Sequence, residues 1–422
     1  MLLIQNLHTD KEAIKLRLAI RGTDFSALID HAIALDNQRK EIQTQLDDIL
    51  AQSNQLAKSI GQLFAQKKIE EATLLKSETG NLKEQSSALN EALKSKEKEL
   101  LEVLYQIPNS PNSRVPEGKS EADNTTVSNH GEKPTLSQKL PHWELCEKYN
   151  LIDFELGVKI TGAGFPVYRG KGARLQRALI NWFLDKARDA GYEEIQPPIL
   201  VNEASGHGTG QLPDKEGQMY HMPIDNLYAI PTAEVPITNM YRDVILKEED
   251  FPIKNCGYTP CFRREAGSYG KDVRGLNRLH QFDKVEIVQI QHPEKSYEAL
   301  EEMSTYVQGL LQELGLPYRV LLLCGGDTGF ASAMTYDMEV WSAAQERWLE
   351  VSSVSNFETF QANRLKLRYK SSSGKNQLAH TLNGSALALP RIVASILENN
   401  QTAEGIIIPQ VLRPYCGFDV ID

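Results

Sequence analysis

Two arginines, two carboxylates and a phenylalanine lie in one stretch whose spacing suits a nucleotide. It opens Cys261-Phe262-Arg263-Arg264-Glu265, passes through glycine-rich, charged residues, and returns as Arg278-Leu279-His280-Gln281-Phe282-Asp283-Lys284-Val285-Glu286. The pattern reads as a strand, a loop and a return strand over 278–290. Side chains alternate along a strand, so Arg278, Phe282 and Glu286 are expected on one face of the return strand. By the same rule Arg263 and Glu265 share a face of the entering strand. Arginine offers phosphate oxygens a planar fork of donors, a ring can stack on a purine, and carboxylates receive amino groups. The competing reading is a solvated hairpin held by cross-strand ion pairs; a phenylalanine between arginines on one face weighs against it. No phosphate-cradling Gly-x-x-x-x-Gly-Lys-Ser/Thr loop or Rossmann glycine fingerprint occurs in a strand-to-helix setting.

The elements that must position these residues begin with a change of composition. The chain has 422 residues, which favours two domains. All nineteen prolines and all four tryptophans fall at or after residue 108. Before it, Leu28, Leu35, Ile42, Ile49, Leu56 and Leu63 recur every seven residues, with Ala32, Leu46 and Ile60 in a second column. Leu75, Leu82 and Leu89, then Leu93, Leu100 and Ile107, make a second such series beyond the basic break Gln66-Lys67-Lys68. Two helices with a narrow apolar seam and a short link pack as an antiparallel coiled-coil hairpin. At 1.5 Å per residue, roughly 37 residues give an arm about 55 Å long. Arg21-Gly22-Thr23-Asp24 reads as a helix stop and a new cap. The plainest reading of such an arm is an oligomerisation coil, but a hairpin that satisfies its own seam leaves its outer faces for another partner.

The domain division expected is therefore 1–108 for the arm-bearing domain, 109–135 as a Pro-, Asn- and Ser-rich linker, and 136–422 as a domain of short β-rich runs and a few helices. Leu175, Leu179, Trp182, Phe183 and Ala187 form one apolar helix face, stopped by Gly191. The balance of charge is acidic, 46 Lys and Arg against 56 Asp and Glu, which excludes a general basic coat for nucleic acid. No apolar run is long enough to span a membrane, and the first residues do not read as a secretion signal. Five dispersed cysteines with no Cys-x-x-Cys pair read as reduced thiols in a cytoplasmic protein, with no structural zinc expected. His207 and His380 lack paired ligand spacing and read as structural or supporting histidines. Trp341 and Trp348 read as the core of a hairpin, and Cys324-Gly325-Gly326-Asp327 as a turn.

The arginine–loop–arginine hairpin resembles motif 2 of the class II aminoacyl-tRNA synthetases, and the longer text resembles the seryl-tRNA synthetase family. Gly191-Tyr192-Glu193-Glu194-Ile195-Gln196-Pro197-Pro198 resembles motif 1, which lies at the dimer interface in that family. Gly208-Thr209-Gly210-Gln211-Leu212-Pro213 and Pro231-Thr232-Ala233-Glu234-Val235-Pro236 resemble its serine-site segments. Glu350-Val351-Ser352-Ser353, Thr381-Leu382-Asn383-Gly384-Ser385 and Ala388-Leu389-Pro390-Arg391 with Glu398-Asn399 follow in order, the last as in motif 3. The likeness spans essentially the whole chain.

The resemblance implies an α+β protein: an N-terminal antiparallel coiled-coil hairpin followed by a class II catalytic domain whose antiparallel sheet is flanked by helices. It implies that Arg263 holds the ATP α-phosphate and the serine carboxylate, and that Arg278 and Arg391 bind the outer phosphates. Glu265 and Phe282 would read and stack the adenine, with Arg264, Val351 and Ser352 also at the ATP site. Glu350 and Ser353 would place Mg²⁺; Arg263, Arg391 and Glu350 would carry catalysis. Thr232, Ala233, Glu234, Arg263, Glu286, Asn383 and Ser385 would bind L-serine. The implied reaction makes seryl-adenylate from serine and ATP and passes the seryl group to the 3′ end of serine tRNA, with selenocysteine tRNA as a second candidate acceptor. A homodimer is implied, with the arm on the long variable arm of the tRNA, where Arg39, Lys40, Lys58, Lys67 and Lys68 are candidate phosphate contacts. Arg264 stands where the family motif has serine. Glu350 and Ser353 have opposite parity, so both can face the site only if the strand carries a bulge or ends near Ser352. An amino-acid ligase for a carrier protein and an inactive nucleotide-fold binding protein are the alternatives; the full arm argues against the first and the intact Arg263, Glu286, Glu350 and Arg391 against the second.

Overall fold

The structure is a computed structural model and describes residues 1–136, 138–214, 217–265 and 274–422. The chain forms two units, one of residues 2–19 and 23–108, the other of Met1, 20–22 and 109–422.

In the first unit, helices Ile4–Thr9 and Lys11–Ala19 precede the arm helices Ser26–Ala65 and Ile69–Leu104. The link between the arm helices falls on Gln66-Lys67-Lys68, where Lys67 takes a positive φ of 61°, a conformation that ends a helix cleanly. At the start of the arm the Asp24 carboxylate accepts the Ser26 N–H at 2.8 Å. Ala32, Leu35 and Leu46 are buried on the first arm helix, and Ala72, Leu93 and Leu100 on the second. All but Ala72 belong to the seven-residue seam read from the sequence. One step differs: Ile29, not Leu28, is fully buried at the base. Toward the tip Phe64, Ile69 and Leu74 are exposed, as a hairpin only two helices thick requires.

The second unit is built on an eight-stranded sheet. In chain order its strands are β1 (Thr125–His130), β2 (Glu193–Glu194), β3 (Ile253–Phe262), β4 (Gln281–Gln291), β5 (Tyr318–Leu322), β6 (Met334–Ser342), β7 (Arg347–Glu358) and β8 (His380–Ala388). In space they run β1-β5-β6-β7-β8-β4-β3-β2. All neighbours are antiparallel except β2 against β3. Helices Gly170–Asp189, Ser296–Glu313 and Leu389–Asn399 pack their apolar faces on it, with Leu175, Leu179, Trp182, Phe183 and Ala187 buried as the spacing predicts. Burying each leucine or phenylalanine of that face contributes about 1.5–3 kcal/mol.

Three expectations are corrected here. Residues 109–135, expected as a linker, carry the edge strand β1, and Asn109 is buried with its amide donating to the Ala331 and Phe357 carbonyls. Strand β4 begins at Gln281 and β3 ends at Phe262, so Arg278 and Glu265 lie outside the strands; Glu265 has φ 50°. Alternation therefore does not set their faces. Trp341 and Trp348 pair across β6 and β7 with ring centroids 5.3 Å apart, but they are half-buried and Lys133 caps the Trp341 ring.

Candidate active site

The central strands fix the first half of the site. Lys284 and Glu286 follow Phe282 on the same face of β4, and the β4–β8 register sets Glu286 opposite Ser385. Lys284 and Glu286 form an ion pair at 2.6 Å with both side chains almost wholly buried. Lys284 Nζ also donates to Thr232 Oγ1 at 2.9 Å. Asn383 Nδ2 donates to Glu286 Oε1 at 3.0 Å, and Ser385 Oγ to Oε2 at 3.5 Å. Buried ions need such partners to offset their lost hydration. Beside them Glu234 opens helix Glu234–Asn239, with buried Ala233 before it. Burial pushes its carboxyl up to about 7, and the 2.6 Å hydrogen bond from Gln361 Nε2 opposes that rise only in part.

The second half is more open. Arg263 places its guanidinium 5.2 Å from the centre of the Phe282 ring, and its Nε donates to the Pro231 carbonyl at 3.4 Å. It thus links the Thr232 segment to Phe282. Arg278 pairs with Glu265. Arg391 Nη1 donates to the Glu350 carbonyl at 2.6 Å, with the Glu350 carboxylate at 3.7 Å.

Of the two ways to bring Glu350 and Ser353 to one face, a bulge or a strand end, the strand uses a bulge and continues to Glu358. Glu350 faces Glu339 and Ser352 faces Met338, so Val351 is the extra residue, and Ser353 faces Asp337. Glu350 and Ser353 therefore share a face. Ser353 Oγ donates to Asp337 at 2.6 Å. The Asp337 carboxyl is pushed well up by burial and by the nearby Glu350 charge. Two crowded carboxylates and a hydroxyl are hard oxygen donors suited to Mg²⁺. Among the described residues no group of three His, Cys, Asp or Glu side chains is arranged to hold a metal ion. Val351 instead joins the core, and Ser352 Oγ donates to the Ser385 carbonyl. Arg264 lies over the Tyr220 ring at 5.3 Å. Residues 266–273 of the hairpin lie outside the described residues.

Three site residues escaped the sequence reading. Lys284 had a signal, the same parity as Phe282 and Glu286. Asp337 and Gln361 had none, since only the β6–β7 register and the helix Thr359–Leu365 bring them in. His380 accepts or donates with Ser296 at 2.8 Å, and burial lowers it to about 4; it supports the sheet.

On the arm, two of the five candidate RNA contacts are engaged. Asp36, 1% exposed, pairs with Arg39 at 2.8 Å, Lys40 at 2.7 Å and His8 at 2.8 Å. Arg39 and Lys40 pair with Asp36 along their own helix, and His8 joins that carboxylate from helix Ile4–Thr9. Lys58, Lys67 and Lys68 are exposed, Lys68 with a loose partner in Glu71 at 3.4 Å.

Comparison with known proteins decides the family. Residues 1–111 match the model of the seryl-tRNA synthetase N-terminal domain, and residues 220–400 that of the tRNA synthetase class II core domain (G, H, P, S and T). A serine–tRNA ligase of Salinibacter ruber is 51% identical over 99% of this chain and 98% of its own length. The chain belongs to the seryl-tRNA synthetase family. Within it, the seryl-tRNA synthetase of Pyrococcus horikoshii complexed with ATP superposes with a TM-score of 0.92 at 31% identity, covering 100% and 99% of the two chains. The cytoplasmic serine–tRNA ligase of Naegleria fowleri in complex with AMP gives 0.87 at 28% identity, covering 100% and 99%. The candidate site residues from Thr232 to Arg391 fall inside the class II core match.

Proposed function

We infer that this chain is an ATP-dependent serine–tRNA ligase of class II, and that one juxtaposition carries the residue roles. Arg263 reaches from the Pro231 carbonyl, next to the buried pocket residue Thr232, to the Phe282 ring. A serine in the pocket would direct its carboxylate at the α-phosphorus of ATP. The new carboxyl–phosphorus bond forms in line as the bond to pyrophosphate breaks. Arg263 would touch both reacting groups, while Arg278 and Arg391 follow the leaving phosphates. Catalysis is then mainly positioning and neutralisation of charge. Mg²⁺, held by Glu350 with Ser353 and Asp337, would supply further neutralisation of phosphate charge. Phe282 would stack the adenine and Glu265 receive its amino group.

The pocket's chemistry suits serine. Thr232 Oγ1 accepts from both Lys284 Nζ and the Glu234 N–H, so its own proton remains to be donated to substrate. A site built to pair a hydroxyl discriminates strongly against alanine, which would leave those groups unpaired. A 3′-terminal ribose hydroxyl of tRNA then attacks the seryl carbonyl and releases AMP. Lys58, Lys67 and Lys68 on the arm are the proposed phosphate contacts to the long variable arm. We assign the exposed edge strand β2 to a second copy of the chain, and the cytoplasm as the compartment. Division of the chain at 108, with 109–135 part of the catalytic domain, follows the same reading.

The test is serine-dependent exchange of pyrophosphate into ATP, followed by charging of tRNA with labelled serine. Both should occur. Exchange without charging would favour a ligase for a carrier protein, and no exchange would leave only a nucleotide-fold binding protein.

A further inference from the structure

Two consecutive side chains of the helix His142–Lys148 engage the chain where it approaches β4. His142 Nε2 accepts the Leu276 N–H at 2.8 Å, and the Trp143 ring lies 4.8 Å from the Arg274 guanidinium. Because Nε2 accepts from a backbone amide, the neutral ring carries its proton on Nδ1. That nitrogen faces Glu398 Oε1 at 2.7 Å, and the His142 N–H donates to the same oxygen at 3.0 Å.

Glu398 lies seven residues beyond Arg391 on helix Leu389–Asn399. Gln345 closes a ring of bonds: its Nε2 donates to Glu398 Oε1 at 3.0 Å, and its Oε1 accepts from Asn277 Nδ2 at 3.0 Å. The Asn277 carbonyl in turn accepts from Arg391 Nε at 3.1 Å. A second observation is independent of the hydrogen bonds. Gly275 has φ 66°, and a Cβ there would sit 2.3 Å from His142 Nε2. His142 and Glu398 are both fully buried, a costly arrangement that apolar packing would avoid.

We propose that His142 is a positioning residue for the nucleotide: it holds the Leu276–Asn277 backbone and, through the Asn277 carbonyl, the aim of the Arg391 guanidinium. This rests on the reading of Arg391 as a phosphate ligand. None of the serine-pocket residues belongs to the ring, so the effect is specific to ATP.

His142→Asn keeps a donor near Nδ1 for Glu398 but is too short to reach Leu276. His142→Gln extends an acceptor toward Leu276 and gives up the Nδ1 bond. In pyrophosphate exchange His142→Asn should raise KM for ATP about tenfold, the scale of one buried hydrogen bond, with KM for serine within about twofold. His142→Gln should recover most of the loss in KM for ATP. Arg391→Lys is measured alongside. If it leaves KM for ATP unchanged, the reading of Arg391 fails. If it raises that KM while His142→Asn lowers Tm and leaves both KM values unchanged, the positioning role alone is overturned. Should His142→Asn not fold, Gln345→Leu cuts the same ring and is judged by the same two KM values.

Discussion

The serine pocket and the phosphate side of the site are built on opposite plans. In the pocket, Lys284, Glu286, Thr232 and Glu234 are buried and already partnered by protein groups. On the phosphate side the arginines lie nearer water: Arg278 is 47% and Arg391 29% exposed, each resting on a carboxylate or carbonyl. A small substrate brings little binding energy, so its pocket must be rigid beforehand. A triphosphate brings its own charge and can draw arginines away from provisional partners. The contrast predicts that pocket variants change stability as well as activity, whereas phosphate-side variants change activity with little effect on stability.

Glu286→Ala should have the largest effect. It strands Lys284 as a buried, unpaired cation, costing about 3–5 kcal/mol of folding stability, read by urea unfolding, and serine-dependent exchange should be abolished. Arg263→Ala should lower kcat about 10²–10³-fold with little change in unfolding midpoint, since its protein contacts are few. An equal loss of stability in both variants would erase the distinction between the two sides.

Glu234→Gln tests the pocket through pH. A carboxyl raised to about 7 when folded, against an ordinary 4.5, binds more protons in the folded state than in the unfolded one. Wild-type stability attributable to this group therefore falls as pH rises from 4.5 to 7. Glutamine removes that dependence, so the variant should gain stability across that window, on the order of 3 kcal/mol at its largest above pH 7. Glu265→Ala, which frees half-exposed Arg278, should cost under about 1 kcal/mol of stability. The smallest effect is expected on the arm. Lys67→Ala with Lys68→Ala should weaken tRNA charging and reduce its salt dependence by up to about two phosphate contacts, with pyrophosphate exchange unaltered.

The same contrast explains what could be read from sequence. The arm helices were legible because proline is absent there and the apolar columns repeat every seven residues. The strain between Glu350 and Ser353 was legible as well, because parity along a strand is a strict rule. The partner of Arg39 and Lys40 was not read, because a sequence shows charge without burial: Asp36, three and four positions earlier, is 1% exposed and paired with both. β1 stayed hidden because Thr125-Thr126-Val127-Ser128-Asn129-His130 is an edge strand with few apolar residues to mark it. Gln361 and Asp337 matter through long-range register, which no local pattern records.

Val351 gives the sheet a joint. Glu350 lies against Glu339 and Ser352 against Met338, so removing Val351 would leave the remaining residues in an uninterrupted antiparallel register. The strand would still pair, and Glu350 and Ser353 would still lie on one side. What would go is the local twist that a bulge adds, together with one buried side chain. Evolution or design can therefore turn the acidic corner of this site relative to its arginines by editing a single residue, without unpicking the sheet that carries both.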